Sequence, residues 1–539
     1  MTSQIKDRLP NAVGRCPRLV TLMAIVSAVG LTLLACSSDD SKQDDSPQAG
    51  SASSSDNATT PSGGASEKPS TQTTGGTSQS GGAGGTTLSV DAGVDGGKKT
   101  ANTPKSDAQT KPTTDASPTA DSSAPETGPE PDCTPVIWEN PGNVPNPEVI
   151  KVETNAGRGW AFGRFKDIDQ FDYVEEEFFF SGTTPAAYTS RILVRRPKDP
   201  AKFTGTVFAE WLNVSGGIDF ATEWTYSREY FMRAGHVHVS VSAQAVGANA
   251  LKNTCDAERY APIVHPGDNY ANNIFSQAGV AIRLQSERIL GLCMPVHAVI
   301  AIGQSQSAMR LADYINRAQG PDQVYDGIVP HSGMEPSSNN TPVPVFIVTT
   351  QSEGNMRLTT GPNLAKWVLA GATHSDVFET TRGLSVAEDI GWDVGAQECV
   401  FPGNTYPSWR IYNAVWDWMH RWVRFGEKPP EAPLLTGALD EHGNTLGGVR
   451  LPEIDVPTAA YTTGNTAADP GDFVSAMACV FMGATEAFTP EKLLQLYPTH
   501  DDYVQKYTAA ADEALAKGYI LQEDYTAAIE EAKNAPIPR

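Results

Sequence analysis

Positive charge is scarce in this chain. Its 539 residues include 40 Lys and Arg residues against 63 Asp and Glu residues, which gives a formal net charge of −23 at pH 7. Nucleic-acid phosphates require a basic surface, so this balance argues against a nucleic acid as a partner. An acidic chain of this kind mainly indicates solubility.

Cofactor and metal motifs are also missing. The sequence contains no G-x-x-x-x-G-K-[ST] phosphate loop, and no G-x-G-x-x-G loop follows a predicted strand. The seven cysteines form no C-x-x-C zinc pattern. The string at residues 440–444 is rich in Asp, Asn and Gly but lacks the ligand spacing of an EF-hand, so it is interpreted as a turn. We therefore expect no cofactor and no metal.

The cysteines are spread widely along the chain. Cys16 and Cys36 lie near the N-terminus, and five others follow at a distance: Cys133, Cys255, Cys293, Cys399 and Cys479. If the protein is exported, four of these five can form two disulfides and leave one cysteine over. The spacing leaves the pairing open.

The first 36 residues are predicted to be an export signal. Arg15 and Arg18 precede an apolar run at residues 19–34 that is too short and too interrupted for a confident membrane span. The run ends in Leu-Leu-Ala-Cys36, which resembles the bacterial lipobox, where the cysteine carries lipid. Ser37 after it favours anchoring to the outer membrane, on its periplasmic or cell-surface side. Ordinary signal cleavage and a membrane helix are the alternatives.

Residues 37–131 contain almost no aromatic or large aliphatic side chains. A segment of Ser, Thr, Gly, Ala, Asp and Pro cannot bury a core, so we predict a disordered tether. From about Asp132 the composition changes to aromatic and branched aliphatic residues, and residues 132–539 are interpreted as one domain.

Strand and helix patterns alternate through most of this domain. Alternation of this kind predicts an α/β fold with a mainly parallel sheet flanked by helices, followed by a C-terminal helical extension. The predicted strands lie at residues 172–180, 188–195, 204–212, 236–241, 296–302, 325–329, 343–349 and 367–370. The predicted helices lie at residues 224–234, 274–292, 308–315 and 409–423, with a long loop at 245–272.

The clearest local pattern is the turn Gly303-Gln304-Ser305-Gln306-Ser307. It lies between a Val- and Ile-rich strand and a segment with helical spacing of apolar residues. A serine in a sharp strand-to-helix turn stands clear of the sheet, and small residues two positions away on each side keep strand and helix close. We predict that Ser305 is a nucleophile and that the Gln306 N–H, at the helix start, binds an oxyanion. A Ser-rich turn in another kind of α/β protein is the alternative.

A serine nucleophile needs a base and an orienting acid. His374 follows the last predicted core strand, and Glu353 lies in the loop after the strand before it, so they are predicted as base and acid. The alternatives are a turn histidine that caps the next helix and an exposed loop glutamate. Asp376 is a rival acid, but its separation of two residues from His374 favours a local cap.

Other candidates have weaker positions. His331 comes one strand after the turn, too early for the base, although it can line the pocket. His420 lies within an amphipathic helix and is interpreted as structural. A second oxyanion donor is expected from the turn after the third strand, from the backbone N–H of Asn213 or Val214, and a plain Gly-rich turn is the alternative.

Six stretches of the chain together resemble a bacterial family of alpha/beta hydrolase domain proteins. They are EWLNVSGG at residues 210–217, VSVSAQ at 239–244, GQSQSA at 303–308, QSE at 351–353, AGATHSD at 370–376 and GGVRLP at 447–452. Family members often carry Asp two residues after the loop glutamate, where this chain has Asn355, which leaves Glu353 to hold the histidine. The resemblance implies the α/β-hydrolase fold and a Ser-His-Glu serine hydrolase, and it implies little about substrate.

The leading hypothesis is therefore a carboxylic-ester hydrolase that acts on a small-molecule or acylated substrate through an acyl-enzyme. One alternative is a hydrolase of another acyl bond, an amide or a thioester. Another is an inactive hydrolase fold used as a surface binding module. The sequence leaves the oligomeric state open, and also whether residues 245–272 or 427–500 form a lid.

Overall fold

The computed structural model describes residues 133–153, 168–356, 360–389, 398–469 and 471–537. The predicted signal peptide, its Cys36 and the predicted tether lie outside these residues. No helix within the described ranges is long and apolar enough to cross a lipid bilayer.

A nine-stranded sheet forms the centre of the domain, with the order β1-β2-β3-β5-β4-β6-β7-β8-β9. Its strands are β1 (Glu148–Lys151), β2 (Tyr173–Thr184), β3 (Ala186–Pro197), β4 (Thr206–Trp211), β5 (Val237–Val241), β6 (Ala298–Gln304), β7 (Gly327–His331), β8 (Val345–Thr350) and β9 (Leu364–Leu369). The six strands β4 to β9 pair in parallel, while β1, β2 and β3 add antiparallel pairs at one side.

Helices cover both faces of this sheet and make up most of the C-terminal part. They are α1 (Thr222–Ala234), α2 (Ala245–Ala250), α3 (Ala271–Leu284), α4 (Ser286–Ile289), α5 (Gln306–Arg317), α6 (Gln319–Asp322), α7 (Val377–Asp389), α8 (Trp409–Phe425), α9 (Pro452–Asp455), α10 (Phe473–Met482), α11 (Pro490–Leu496), α12 (His500–Ala516) and α13 (Gln522–Asn534). Short 3-10 and π turns lie at Ile168–Phe171, Pro200–Lys202, Leu251–Cys255 and Asp268–Tyr270.

Alternating side chains of the parallel strands enter two separate cores. In β6, Val299 and Ala301 belong to the core shared with α3 and α5, whereas Ile300 and Ile302 belong to the core shared with α1 and α8. All four side chains are fully buried. A strand buried on both faces needs a continuous apolar run, which explains why β6 is recognisable in the sequence.

The predicted α/β fold with a mainly parallel sheet is confirmed, and the differences are local. The predicted loop at 245–272 is wrong because it contains α2, a π turn and a 3-10 turn. Asp268 closes this segment by accepting hydrogen bonds from the Ala245 N–H (2.8 Å) and the Gln244 amide (2.9 Å). The predicted helix at 274–292 is too long, because the backbone of Gln285 leaves the helical region at φ −123° and ψ 29°.

The C-terminal part adds two small hairpins and a core of its own. The hairpins pair β10 (Leu435–Leu439) with β11 (Thr445–Gly447) and β12 (Ala459–Thr462) with β13 (Ala484–Ala487). The string at 440–444 is the predicted turn, since the Asp440 carboxylate accepts hydrogen bonds from two backbone N–H groups within it, both at 2.9 Å. Tyrosines of α12 pack on α13 in a separate apolar cluster.

Within the described residues, two disulfides join distant parts of the chain. Cys133 is bonded to Cys293, and Cys399 is bonded to Cys479. Cys255 lies outside both bonds. The structure thus supplies the pairing that the spacing left open.

Candidate active site

Five neighbouring parallel strands end at one edge of the sheet, and each carries a candidate site residue at or just after its last position. In the order β4, β6, β7, β8 and β9 these residues are Asn213, Ser305, His331, Glu353 and His374. The carboxyl ends of parallel strands form the crevice where α/β proteins bind ligands. The topology therefore places residues from a span of more than a hundred positions side by side.

Ser305 occupies a strained turn between β6 and α5. Its backbone has φ 60° and ψ −117°, a conformation that L-residues rarely adopt, and its N–H donates to the His331 carbonyl at 2.8 Å. A Cβ on Gly303 would lie 3.0 Å from the Cβ of Ser307 and 3.3 Å from the Trp211 carbonyl oxygen. The turn therefore needs small residues on both sides of the serine, as its sequence predicts.

The Ser305 side chain begins a hydrogen-bonded chain through His374 to Glu353. Ser305 Oγ lies 2.8 Å from His374 Nε2, and His374 Nδ1 lies 2.6 Å from Glu353 Oε1. In the neutral tautomer that fits both partners, Nδ1–H donates to the carboxylate and Nε2 accepts from the hydroxyl. The side chains of His374 and Glu353 are 16% and 14% exposed, so the pair is mostly buried but in contact with solvent.

Glu353 is held as a carboxylate by its own loop. Its Oε2 accepts hydrogen bonds from the N–H of Thr350 at 2.9 Å and from the Thr350 hydroxyl at 2.6 Å. Burial alone would raise the pKa of Glu353, but hydrogen bonds from His374 and Thr350 and the charge of His374 outweigh it and keep the pKa below its usual value. The carboxylate therefore stays charged and fixes the imidazole orientation.

The rest of the QSE stretch holds the histidine loop. The Gln351 side-chain oxygen accepts from the Gly371 N–H at 2.7 Å, and Ser352 Oγ accepts from the His374 N–H at 3.2 Å. Three successive side chains thus contact one loop, two through its backbone and one through the imidazole.

Gln304 connects three loops around the serine. Its side-chain amide donates to the His374 carbonyl at 3.0 Å, and its own backbone carbonyl accepts from the Asn213 side-chain amide at 3.1 Å. Gln304 is 5% exposed and immediately precedes Ser305. Sequence reasoning missed this role, although the residue lies inside the motif that identified the serine.

The three predicted oxyanion donors differ in whether their N–H groups already have an acceptor. Gln306 is the first residue of α5, where an N–H has no acceptor within the helix. The Asn213 N–H instead donates to the Phe220 carbonyl at 2.9 Å, so the prediction that Asn213 binds an oxyanion through its backbone is wrong. Among the described residues the Val214 N–H has no backbone acceptor, which leaves it as the candidate from this turn.

His331 forms a second histidine–glutamate pair close to the serine. Its Nδ1 lies 3.2 Å from both carboxylate oxygens of Glu223, and the two side chains are 1% and 0% exposed. Its Nε2 has no hydrogen-bond partner in the described part of the chain. His331 therefore lies at the site edge of the sheet but below its surface.

The remaining candidates are structural. Asp376 caps α7 through the Glu379 N–H at 2.9 Å and accepts from the Ser408 hydroxyl at 2.5 Å, which fits the local cap favoured by its spacing. His420 in α8 contacts the Thr206 hydroxyl at 2.8 Å, and burial lowers its pKa to about 4. Within the described ranges, no cluster of three or more His, Cys, Asp or Glu side chains could hold a metal ion.

Comparisons with known proteins agree with this architecture. A family model described as alpha/beta hydrolase domain matches residues 144–530, which is most of the chain. No protein with curated annotation matches the sequence.

The solved structures that match this chain have low sequence identities and low TM-scores. A prolyl endopeptidase is 9% identical with a TM-score of 0.25 over 41% of this chain, which spans 39% of the endopeptidase. One of two esterases from Rhizomucor miehei is 13% identical with a TM-score of 0.26, covering 40% of this chain and 83% of the esterase. A serine hydrolase homologue from Coxiella burnetii is 16% identical with a TM-score of 0.26, covering 40% and 95%. Similarities of this size indicate neither activity nor substrate.

Proposed function

The chain belongs to the alpha/beta hydrolase domain family, and from this premise we propose that it is a carboxylic-ester hydrolase with Ser305 as nucleophile, His374 as base and Glu353 as orienting acid. One observation carries the proposal. The hydroxyl, the imidazole and the carboxylate lie in one hydrogen-bonded chain, with contacts of 2.8 and 2.6 Å, at the ends of β6, β9 and β8.

In the first half of the reaction, Ser305 Oγ attacks the ester carbonyl while His374 Nε2 takes the hydroxyl proton. Glu353 stabilises the imidazolium that forms. The carbonyl oxygen becomes an oxyanion, which the N–H groups of Gln306 and Val214 would bind, each donor contributing about 3 kcal/mol to lowering the barrier. The bond between the carbonyl carbon and the alcohol oxygen then breaks, and His374 gives its proton to the departing alcohol.

In the second half, water replaces the alcohol. His374 removes a proton from this water as it attacks the acyl carbon, and the same oxyanion donors serve again. The bond to Ser305 Oγ breaks, the proton returns to the serine, and the carboxylic acid leaves.

The direct test is hydrolysis by Ser305→Ala. Release of alcohol from an ester should fall to the uncatalysed level while the circular dichroism spectrum and the melting temperature stay those of the wild type. Hydrolysis that persists in a folded Ser305→Ala protein would overturn the assignment.

Matched substrates separate the ester from other acyl bonds. An ester, a thioester and an amide with the same acyl group should be compared by kcat/KM. We expect the ester to be hydrolysed fastest, and a faster amide or thioester would redefine the reaction while keeping the same nucleophile. If the folded protein hydrolyses none of the three and binds an acylated ligand unchanged, the binding-module hypothesis takes precedence.

We further propose that residues 132–539 form the catalytic domain of an exported lipoprotein anchored through Cys36. The bonds Cys133–Cys293 and Cys399–Cys479 support export, because disulfides persist in oxidising compartments. Metabolic labelling with a fatty-acid probe should modify the wild type and fail to modify Cys36→Ser. Equal labelling of both proteins would remove the anchor from the proposal.

A further inference from the structure

Four large apolar side chains lie exposed in two segments that a disulfide joins. Val400 and Phe401, 55% and 47% exposed, follow one cysteine of the bond Cys399–Cys479. Val480 and Phe481, 51% and 40% exposed, follow the other. We call these four residues the apolar wall. Exposed apolar residues grouped in this way often mark a binding surface, whereas single ones are common on any protein.

One member of the apolar wall, Phe481, lies beside the proposed catalytic site. The ring of Phe481 lies 4.8 Å, centre to centre, from the imidazole of His374 and is inclined to it by 35°. The same imidazole lies against the Ser305 hydroxyl. An apolar group bound on Phe481 would therefore be next to the reacting bond.

The wall is fixed to the histidine loop on both sides of His374. The hydroxyl of Thr373 donates to the Met482 carbonyl at 3.2 Å, and the N–H of Ser375 donates to the Phe481 carbonyl at 3.1 Å. Its position relative to the imidazole is thus set by two hydrogen bonds to the neighbouring residues.

A buried asparagine joins the two segments of the wall. The Asn465 side-chain oxygen accepts from the Phe401 N–H at 3.2 Å. Its amide donates to the carbonyls of Phe401 at 3.0 Å and Gly483 at 2.7 Å. Together with the disulfide, these contacts fix the backbone of the two segments that carry the wall, and a fixed backbone lowers the entropic cost of binding a ligand.

We propose that the apolar wall binds the alcohol portion of an ester whose alcohol is apolar. The argument rests on the proposed function and on the direction of proton transfer. His374 delivers its proton to the departing alcohol oxygen, so the alcohol group must lie beside the imidazole, where Phe481 is. The acyl group stays bonded to Ser305, with its oxygen directed at the Gln306 N–H, and so it does not need the wall.

Two ester series separate the alcohol side from the acyl side. The first compares hexyl acetate with ethyl acetate, and the second compares ethyl hexanoate with ethyl acetate, each as a ratio of kcat/KM. Phe481→Ala should lower the first ratio by about threefold to tenfold, which is at or below the contribution of one methylene in a closed pocket because the wall is partly exposed. It should leave the second ratio unchanged, because the acyl group does not need the wall.

The matched control is Phe425→Ala. Phe425 is 61% exposed at the end of α8, where its ring contacts His420 rather than the proposed site. This variant removes the same side chain and should change neither ratio. Phe481→Leu, which keeps an apolar surface, should retain most of the preference for hexyl acetate.

Two results would overturn the inference: an unchanged hexyl-to-ethyl ratio in Phe481→Ala, or a fall in the acyl ratio instead. Ser305→Ala distinguishes this failure from that of the proposed function. If Ser305→Ala is inactive and the ratio is unchanged, only the role of the wall is refuted. If Ser305→Ala hydrolyses ethyl acetate as the wild type does, or if folded wild-type protein hydrolyses neither series, the proposed function fails and the inference fails with it.

Discussion

Among the described residues, two histidine–glutamate pairs contact Ser305, and their surroundings differ. His374 and Glu353 follow β9 and β8, are partly exposed, and lie within reach of the serine hydroxyl. His331 ends β7 and pairs with Glu223 of α1 in the core, where both side chains are buried. The first pair contacts the serine side chain, whereas the second contacts only its backbone, through the His331 carbonyl.

The difference shows that a histidine beside a carboxylate is not by itself a catalytic group. A base must also be within hydrogen-bond reach of the proton it takes and must be accessible to substrate. The pair His374–Glu353 lies within hydrogen-bond reach of the serine hydroxyl and is partly exposed, whereas the pair His331–Glu223 is buried and makes no side-chain contact with the serine. Burial therefore separates a proposed chemical role from a structural one.

The largest predicted effect compares the two histidines directly. His374→Ala should lower kcat/KM by about 10⁴-fold or more, because the nucleophile loses its base. His331→Asn, which retains a group able to contact Glu223, should lower kcat/KM by less than about tenfold and act mainly through a lower melting temperature. Steady-state kinetics and thermal unfolding of both variants measure this contrast.

Equal losses of activity in both variants would break the comparison. Activity that is lost because a variant no longer folds says nothing about the role of the histidine, so each variant's circular dichroism spectrum at the assay temperature is the control.

The second prediction compares the two glutamates, Glu353 and Glu223. Glu353→Gln should lower kcat by about 10²-fold to 10⁴-fold, since a neutral amide can orient the wrong imidazole tautomer and cannot stabilise the imidazolium. Glu223→Gln should leave kcat within about threefold of the wild type, because the group it contacts takes no proton. A similar kcat in the two variants would show that Glu353 is not the orienting acid.

Ser305 and the pair His374–Glu353 could be predicted from local sequence. The small residues around Ser305 are required by close approach of β6 and α5, and Glu353 and His374 follow strands that are recognisable as short apolar runs. Parallel strands place their carboxyl ends at one edge, so the order of residues in the chain was enough to bring these three together.

The other features depend on contacts between distant parts of the chain. The Asn213 N–H donates to the Phe220 carbonyl, a contact that a turn pattern in the sequence cannot show. The pairing of His331 with Glu223 joins residues 108 positions apart. The apolar wall needs the pairing of Cys399 with Cys479, which spacing alone does not give. No local signal in the sequence marks Phe481 as a neighbour of His374.

The third prediction concerns the hydrogen bond from the Gln304 side chain to the His374 carbonyl, which holds the histidine loop in place. Gln304→Glu keeps the side-chain length but removes the amide that donates to the His374 carbonyl. We expect kcat to fall by about tenfold to 100-fold with little change in KM, since small displacements of a catalytic group are costly. An unchanged kcat would show that the Gln351 and Ser352 contacts are sufficient to place the loop.

The smallest predicted effect is on stability. Burial, opposed by a hydrogen bond from Ser375 and reinforced by the charge of Asp376, raises the pKa of Glu379 to about 7. Between the ordinary pKa of glutamate and pH 7, Glu379 is protonated in the folded protein and ionised in the unfolded chain. The free energy of unfolding therefore falls as the pH rises towards 7. Glu379→Gln cannot ionise. The difference in melting temperature between this variant and the wild type should therefore shift in favour of the variant between about pH 5 and pH 7 and stay constant above pH 7. Parallel curves throughout would contradict the assigned protonation.

The most direct measurement is labelling of the domain with a fluorophosphonate, followed by peptide mapping, for the wild type, His374→Ala and His331→Asn. The account predicts a single label on Ser305, slowed strongly by His374→Ala and only slightly by His331→Asn. A label on another residue, or equal labelling rates in all three folded proteins, would contradict the claim that Ser305 is activated by His374.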